Sequence, residues 1–242
     1  MKIDLFCPSR ERINKVLTFI CSIITTAKDI NNINLVLGID DDDPKLDHYL
    51  KIAQNLDFIQ VVRYPEGLIE KIGLCGLWNV MADQTTNDII AMVGDDMKFE
   101  TPDWDEKILK EFSNKEDNFY LIHCNDGMRG PGNKYANVPP LAVNSFIHRD
   151  YVNTVGHYME EVEPNTFGDT YLDKVFELLN RKIYFHDIMI RHMHFSEYGG
   201  KDQVSVNIEK TREGIWDDPT IFEEKLMPEI LKEVEIIKAK IA

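Results

Sequence analysis

The sequence has no long uninterrupted hydrophobic run. The longest mostly apolar stretch, residues 16–24, contains polar side chains and is too short to span a bilayer. The first apolar run of the chain contains Asp4, and no small-residue cleavage site follows it, so a secretory signal is not indicated. We therefore expect no membrane partner and a cytoplasmic location.

Cysteines and basic residues are also scarce. Four cysteines among 242 residues are widely spaced, which predicts neither a disulfide framework nor a zinc site. The chain carries 27 basic and 42 acidic residues, a formal net charge of −15. This balance argues against broad electrostatic adhesion to nucleic acid or to an anionic membrane, although it leaves a local basic groove open.

The first hundred residues do contain a regular alternation of strand-like and helix-like segments. Apolar runs typical of buried strands occupy residues 2–7, 35–39, 58–62 and 88–93. Between these runs apolar residues recur at helical spacing, and helices are predicted to begin near Ile13, Leu46 and Ile69. Such alternation predicts an α/β fold with a mostly parallel sheet and helices on both faces.

The second half of the chain is less regular. Strands are predicted at residues 120–124, 142–148, 183–185 and 188–190, and a helix begins at Gly168. Residues 125–140 are rich in Gly, Pro and Asn and predict a functional loop, and another loop is predicted around residues 198–201. Residues 219–241 predict one charged, amphipathic helix that packs on the domain or on a second subunit.

Three polar clusters each follow a predicted strand. They are Pro8-Ser9-Arg10, Asp40 to Asp43, and Gly94-Asp95-Asp96. Ligands of parallel sheets bind beyond the carboxyl ends of the strands, and these ends meet at one edge. We therefore expect the three clusters to gather there and form a site.

The pair Asp95 and Asp96 is the sharpest of these features. Adjacent carboxylates repel each other unless a cation or hydrogen-bond donors offset their charge, and Mg²⁺ or Mn²⁺ prefers oxygen ligands shared with substrate phosphates. The alternative is that the two residues form an Asx turn and cap the next element.

The other two clusters also have two interpretations each. Asp40 and Asp41 either accept hydrogen bonds from a base or ribose or belong to a solvated loop tip. Arg10 pairs with a phosphate or with an acidic neighbour, and Ser9 contacts a ligand or caps the helix that follows.

Two further positions offer titratable groups. His192 and His194 are two residues apart on an extended run, so we expect them on opposite faces with only one near a metal, and we favour His194. Asp169 stands at the start of a predicted helix, where it either stabilises the helix N-terminus or serves as a general base.

In order along residues 2–200, these motifs resemble family 2-like GT-A glycosyltransferases, particularly the compact ones of bacteriophage and bacterial genomes. The matching segments are Pro8-Ser9-Arg10, Ile39-Asp40-Asp41, Gly73 to Asn79, Gly94-Asp95-Asp96, His148 to Gly156, Phe167-Gly168-Asp169 and His192 to His194. The resemblance implies a GT-A-like sheet flanked by helices. It divides the chain into a nucleotide-binding half (1–100), an acceptor-side half (101–205) and a C-terminal helical extension (206–242) that could support a homodimer.

The resemblance also implies a hexosyltransferase that moves a sugar, with inversion, from a nucleotide-sugar donor to an acceptor hydroxyl, with a UDP-sugar favoured as donor. It makes Asp169 the base that deprotonates the acceptor, and it assigns Mn²⁺ or Mg²⁺ to Asp96 and His194. The donor contacts that it implies are Pro8, Ser9, Arg10, Asp40, Asp41, Asn79 and Asp95.

Two departures from the family pattern bear on these roles. The metal motif contains Gly-Asp-Asp instead of Asp-any-Asp, which leaves open whether Asp95 or Asp96 binds the metal directly. Gly168 stands where the family has an acidic partner of the base.

Other functions stay open at this point. A sugar-nucleotide nucleotidyltransferase typically has a Gly-rich loop, followed by Lys, after its first strand. Residues 7–12, which follow the first strand here, contain no Gly. A non-catalytic nucleotide-sugar binding protein would keep Asp40 and Asp96 but need no base at Asp169.

The acceptor is equally open. It is a glycan or, for a phage protein in the host cytoplasm, a hydroxymethylated pyrimidine of DNA. Nucleic acid would require a local basic groove, for which the candidates are Arg129, Lys134, Arg181, Lys182 and Arg191.

Overall fold

The computed structural model describes residues 1–163, 166–194, 202, 205–206, 210, 213, 215, 218 and 220–242. Within these residues, eight strands form one curled sheet with helices on its two faces. The strands are β1 (Ile3–Pro8), β2 (Ile33–Asp40), β3 (Ile59–Tyr64), β4 (Ile89–Met92), β5 (Met97–Phe99), β6 (Leu121–Asn125), β7 (Phe146–His148) and β8 (Lys182–His192). The helices are α1 (Ile13–Thr26), α2 (Leu46–Asn55), α3 (Leu68–Asp83), α4 (Trp104–Ser113), α5 (Asp150–Val155), α6 (Gly168–Leu178) and α7 (Met227–Ile241).

The sheet order is β3-β2-β1-β4-β7-β6-β8-β5, and the four strands of the first hundred residues that were predicted from the sequence are parallel. In the other half, β7 runs antiparallel to β4 and β6, β8 is parallel to β6, and β5 is antiparallel to β8. The α/β prediction is therefore confirmed. Its parallel part carries the carboxyl ends of β1, β2 and β4 to one edge.

Two hydrophobic cores cover the two faces of the sheet. Along β1, Leu5 and Cys7 belong to the core beneath α1 and α4, whereas Phe6 belongs to the core beneath α3 and α6. Successive side chains of a strand alternate between faces, so a strand buried on both faces has a continuous apolar sequence. Each fully buried apolar side chain contributes roughly 1.5–3 kcal/mol, which fixes the central strands firmly.

The structure differs from the predictions where local patterns are short. Residues 142–145 precede β7 and are not part of the strand. There the side chain of Asn144, and not a backbone carbonyl, accepts a hydrogen bond from Cys124 N at 2.7 Å. Strands predicted at 183–185 and 188–190 form the single strand β8. The sequence patterns also missed β5, α4 and α5, of which β5 is too short for any periodicity.

The C-terminal helix α7 packs on the domain, against α5 and α6. Its buried carboxylate, Glu233, accepts hydrogen bonds of 2.6 Å from Tyr151 and from Tyr171. The helix is preceded by a π-helical turn, Ile221–Leu226. The loop predicted at 198–201 and the first residue of the predicted helix, residue 219, lie outside the described residues. A homodimer stays a prediction. No helix among the described residues is long and apolar enough to cross a membrane.

Candidate active site

A cavity of about 780 Å³ lies beyond the carboxyl ends of β1 and β4, with α3, the start of α6 and the end of β8 along its walls. The three polar clusters do contact each other at this edge. Ser9 Oγ donates to Asp95 Oδ2 at 2.7 Å, and Arg10 Nη1 donates to Asp40 Oδ2 at 3.0 Å. The predicted convergence of the clusters is confirmed.

Asp95 lines the cavity but is largely buried in its wall, and both of its oxygens have partners. Ser9 Oγ contacts one oxygen, and Arg12 Nη1 donates to the other at 3.1 Å. Burial raises the pKa of Asp95 to about 6; Arg12 opposes this shift, and the charge of Asp96 adds to it. The side chain of Asp96 is 22% exposed, against 4% for Asp95. Asp96 is therefore the carboxylate of the pair that is more accessible to a ligand.

Asp96 lies beside an imidazole. His192 Nε2 is 3.5 Å from Asp96 Oδ1. Burial alone would raise the pKa of Asp96, but the hydrogen bond and charge of His192 outweigh it, so this pKa lies below its ordinary value. Burial likewise works against a charged His192, and Asp96 more than offsets this, so the pKa of His192 is raised. Each group therefore favours the charged form of the other.

His192 and His194 both line the cavity, with ring centroids 5.4 Å apart. The expectation that they occupy opposite faces is wrong. β8 ends at His192, so the alternation of side chains along a strand no longer determines the direction of His194.

These groups fit a cation that is shared with a ligand. Within the described part of the chain, no group of three or more His, Cys, Asp or Glu side chains is arranged to hold a metal ion. Hard divalent cations often take only one or two protein carboxylates and complete their coordination with water and substrate phosphates. Asp96 with a neighbouring imidazole is a suitable donor set of this kind for Mn²⁺ or Mg²⁺.

Most of the other predicted donor residues do not line the cavity, and they contact other residues of the protein instead. Arg10 also donates to Asp42 at 2.6 Å, and Arg63 Nε donates to Asp41 Oδ1 at 2.7 Å. Arg10 therefore pairs with acidic neighbours, and the acidic run is held by ion pairs. Among the sequence-predicted donor residues, Pro8 and Asp95 are the two that line the cavity.

Arg12 is the main residue that the sequence reasoning missed. It lines the cavity, with 12% of its side chain exposed, and its guanidinium donates to Asp95 and to Asp202. Glu11 has a left-handed backbone (φ 57°), so Arg10 and Arg12 do not follow a regular alternation, and Arg12 turns towards the cavity. The signal in the sequence was the repeated Arg of Arg-Glu-Arg.

Asp169 lines the cavity from the first turn of α6. Its Oδ1 accepts a hydrogen bond from Thr170 N at 2.7 Å, and the N-cap position itself is held by Phe167, with φ 64° and no side-chain cap. A Cβ atom at Gly168 would lie 3.0 Å from Cys75 Sγ. An acidic side chain at Gly168 would therefore crowd Cys75, whose sulfur would have to shift by a few tenths of an ångström, and this disfavours the family's acidic residue here.

A break in α3 shapes the part of the wall next to Gly168. Gly73 has φ 64° and ψ −176°, a conformation that is essentially restricted to glycine, so the helix restarts after it. Leu74, Cys75 and Trp78, from the restarted turn, line the cavity. From the predicted loop at 125–140, Met128, Arg129 and Tyr135 line it as well.

Asn79, predicted to contact the donor, is not among the lining residues. Its Oδ1 accepts hydrogen bonds from Tyr158 N at 3.0 Å and Met159 N at 2.7 Å, and its Nδ2 donates to Met159 O at 3.0 Å. These bonds join α3 to the segment that precedes α6.

We expect Asn79→Ala to destabilise the protein, since it leaves two half-buried backbone N–H groups without a partner. The expected loss is about 2 kcal/mol. This corresponds to a melting temperature lower by about 4–8 °C for a chain of this size. Differential scanning calorimetry measures the shift. An unchanged melting temperature with weakened nucleotide binding would assign Asn79 to the donor instead.

No protein-family model matches the sequence, and no curated protein sequence matches it. Solved structures do share the fold. A crystal structure of S. aureus TarS matches with a TM-score of 0.61 and 12% identity, over 78% of this chain and 36% of that one, so the chain spans about a third of that protein. The mannosyltransferase PcManGT from Pyrobaculum calidifontis, in complex with GDP-Man and Mn²⁺, gives a TM-score of 0.64 and 13% identity over 98% of this chain and 73% of that one.

A second TarS structure, of its residues 1–349 in complex with UDP-GlcNAc, gives a TM-score of 0.61 and 12% identity over 96% of this chain and 72% of that one. Both matched proteins are GT-A-type glycosyltransferases. The chain described here therefore has the GT-A fold.

Proposed function

We propose that this chain, which has the GT-A fold, is a glycosyltransferase that moves a sugar from a nucleotide-sugar donor to an acceptor hydroxyl with the help of a divalent cation. The proposal depends on one observation: Asp96 and Asp169, which come from different halves of the chain, line the same cavity at the carboxyl edge of the sheet. The first is suited to a metal-bound diphosphate and the second to an acceptor.

On the donor side, Asp96 with His192 or His194 would hold Mn²⁺ or Mg²⁺. When bound, such a cation offsets the negative charge that develops on a leaving diphosphate. Arg12 adds a fixed positive charge on the same wall, and Pro8 and Asp95 are our further candidates for donor contact. Ser9 acts through Asp95, whose carboxylate it holds in place.

We favour a UDP-sugar as the donor. Support comes from the complex of TarS with UDP-GlcNAc, while the complex of PcManGT with GDP-Man keeps a guanine nucleotide as the alternative. We propose that Asp169 is the general base. A carboxylate on the cavity wall can accept the proton of an acceptor hydroxyl as its oxygen attacks the anomeric carbon, and attack opposite the leaving group inverts that carbon.

We expect UDP to bind at least about tenfold more tightly with Mn²⁺ than with a chelator, because the carboxylates of Asp95 and Asp96 repel phosphate oxygens unless a cation lies between them. Isothermal titration calorimetry measures both dissociation constants. Uridine, which lacks phosphates, is the control and should bind equally in the two buffers. Equal affinity for UDP in both would contradict a cation-bridged diphosphate.

A binding protein without catalysis is distinguished by donor hydrolysis. A transferase with a base and a cation beside the anomeric carbon should slowly transfer the sugar to water, and a binding protein should not. Release of UDP from UDP-sugars in the presence of Mn²⁺, followed by chromatography, therefore tests the catalytic part of the proposal without any knowledge of the acceptor.

A further inference from the structure

Most of the basic residues that were candidates for a nucleic-acid groove are already paired with carboxylates. Arg181 Nη1 is 2.8 Å from Asp117 Oδ2, and Lys182 Nζ is 2.9 Å from Asp173 Oδ2. These pairs lie at the start of β8, and Arg181 also has Glu116 at 3.6 Å. Neither cation therefore brings a net positive charge to its part of the surface.

The same holds closer to the cavity. Arg191 Nη2 is 2.7 Å from Glu100 Oε2, and Arg129 Nη1 is 3.6 Å from Asp126 Oδ2. The fifth candidate, Lys134, lies 5.2 Å from the centre of the ring of Tyr135. Four of the five cations thus have a carboxylate within 4 Å.

This pairing works against a polyanionic acceptor. Nucleic acid binds mainly because several cations neutralise phosphates and release counterions, and each paired carboxylate here would remain beside such a phosphate. The cavity contains Asp95, Asp96 and Asp169. Its two arginines, Arg12 and Arg129, are also paired with carboxylates, at 3.1 and 3.6 Å, so the lining disfavours a phosphate chain near the proposed base.

The acceptor side of the cavity offers apolar surface instead. Tyr135 lines the cavity with 40% of its surface exposed and with Lys134 Nζ 5.2 Å from the centre of its ring. The other apolar lining residues include Met128, Phe167, Trp78 and Leu74. A sugar ring presents C–H groups that pack on the face of an aromatic ring, and its hydroxyls donate hydrogen bonds to carboxylates. The combination of an exposed tyrosine ring with the carboxylate of Asp169 matches both properties.

We infer that the acceptor is an uncharged saccharide that packs on Tyr135 and presents a hydroxyl to Asp169. The inference rests on the proposed transferase function. In the transfer, the acceptor oxygen forms a bond with the anomeric carbon, and the bond from that carbon to the diphosphate oxygen breaks. The electron pair leaves with the diphosphate, and the hydroxyl proton passes to Asp169.

Transfer assays with the full chain, Mn²⁺ and radiolabelled UDP-glucose or UDP-GlcNAc test this inference. The acceptors are neutral oligosaccharides with glucose, galactose or N-acetylglucosamine ends and, in parallel, duplex DNA with hydroxymethylcytosine. We expect product on a saccharide, no product on DNA, and rates within about twofold between about 50 and about 200 mM NaCl, because no counterion release is involved. Transfer of label to DNA would overturn the inference. So would the absence of labelled saccharide when the enzyme still hydrolyses the donor.

Variants of the loop locate the saccharide. Tyr135→Ala should raise the acceptor KM about tenfold with kcat and the donor KM unchanged, since the ring supplies binding surface and no chemistry. Tyr135→Phe keeps the ring and should keep the KM. Val138→Ala, an exposed position of the same loop outside the cavity lining, is the matched control. If Tyr135→Ala leaves the acceptor KM unchanged, the inference is contradicted. If the unaltered protein neither binds UDP nor hydrolyses the donor, the proposed transferase function itself is refuted.

Discussion

Replacing Asp169 with asparagine should lower kcat by about 10² to 10⁴, the range typical of losing a positioned proton acceptor. Asparagine has the same shape and still offers an oxygen to Thr170 N, so the first turn of α6 should be preserved. Donor and metal binding should therefore stay close to those of the unaltered protein. Steady-state kinetics with a saccharide acceptor, together with calorimetric titration of UDP, separates the two effects.

Glu177→Gln is the matched control for this variant. Glu177 lies on the same helix, is exposed, and pairs with Lys174 across one turn, an interaction that contributes little. We expect its kcat to be unchanged. If Asp169→Asn keeps kcat within about threefold, a barrier change of about 0.65 kcal/mol, Asp169 only stabilises the helix start and is not the base.

Replacing Asp96 with asparagine should abolish transfer, with a loss of about 10³ or more in kcat, and should remove the dependence of UDP binding on Mn²⁺. The neutral amide is a poor ligand for a hard cation, and its loss of charge also leaves His192 without its anionic partner. Because the side chain is partly exposed, the free energy of unfolding should change by less than about 1 kcal/mol.

Asp103→Asn serves as the control for Asp96→Asn. Asp103 has a left-handed backbone (φ 59°) that asparagine tolerates well, and its carboxylate is exposed and 3.9 Å from Lys28. Transfer and metal dependence should be retained. If Asp96→Asn instead unfolds at a much lower denaturant concentration and the Mn²⁺ dependence of UDP binding persists, Asp96 belongs to a structural turn and the metal assignment fails.

Two of the strained backbone positions adjoin the proposed site. Glu11 and Phe167 both have positive φ values, of 57° and 64°, and they directly precede Arg12 and the Gly168-Asp169 pair. Such conformations disfavour large side chains, and they persist only where the surrounding structure holds them. Here each one turns the chain so that a charged side chain faces the cavity.

The sequence by itself determined the architecture and the location of the site. The apolar runs of β1 to β4, separated by helical periodicity, predicted a parallel sheet, because a strand buried on both faces must be apolar throughout. The parallel direction of these strands then placed the polar clusters after β1, β2 and β4 at one edge. The position of Asp169 at the start of α6 was also predicted correctly.

Only the tertiary structure decided which member of each pair faces the cavity. Arg12 lines the cavity and Arg10 does not, and Asp96 is more exposed than Asp95. Both His192 and His194 lie on the wall, whereas Asn79 joins two segments by hydrogen bonds. These residues lie where strands and helices end, and there the backbone angles no longer repeat. Within a regular element the spacing of residues fixes the direction of each side chain, whereas beyond its end that direction depends on contacts with residues distant in the sequence.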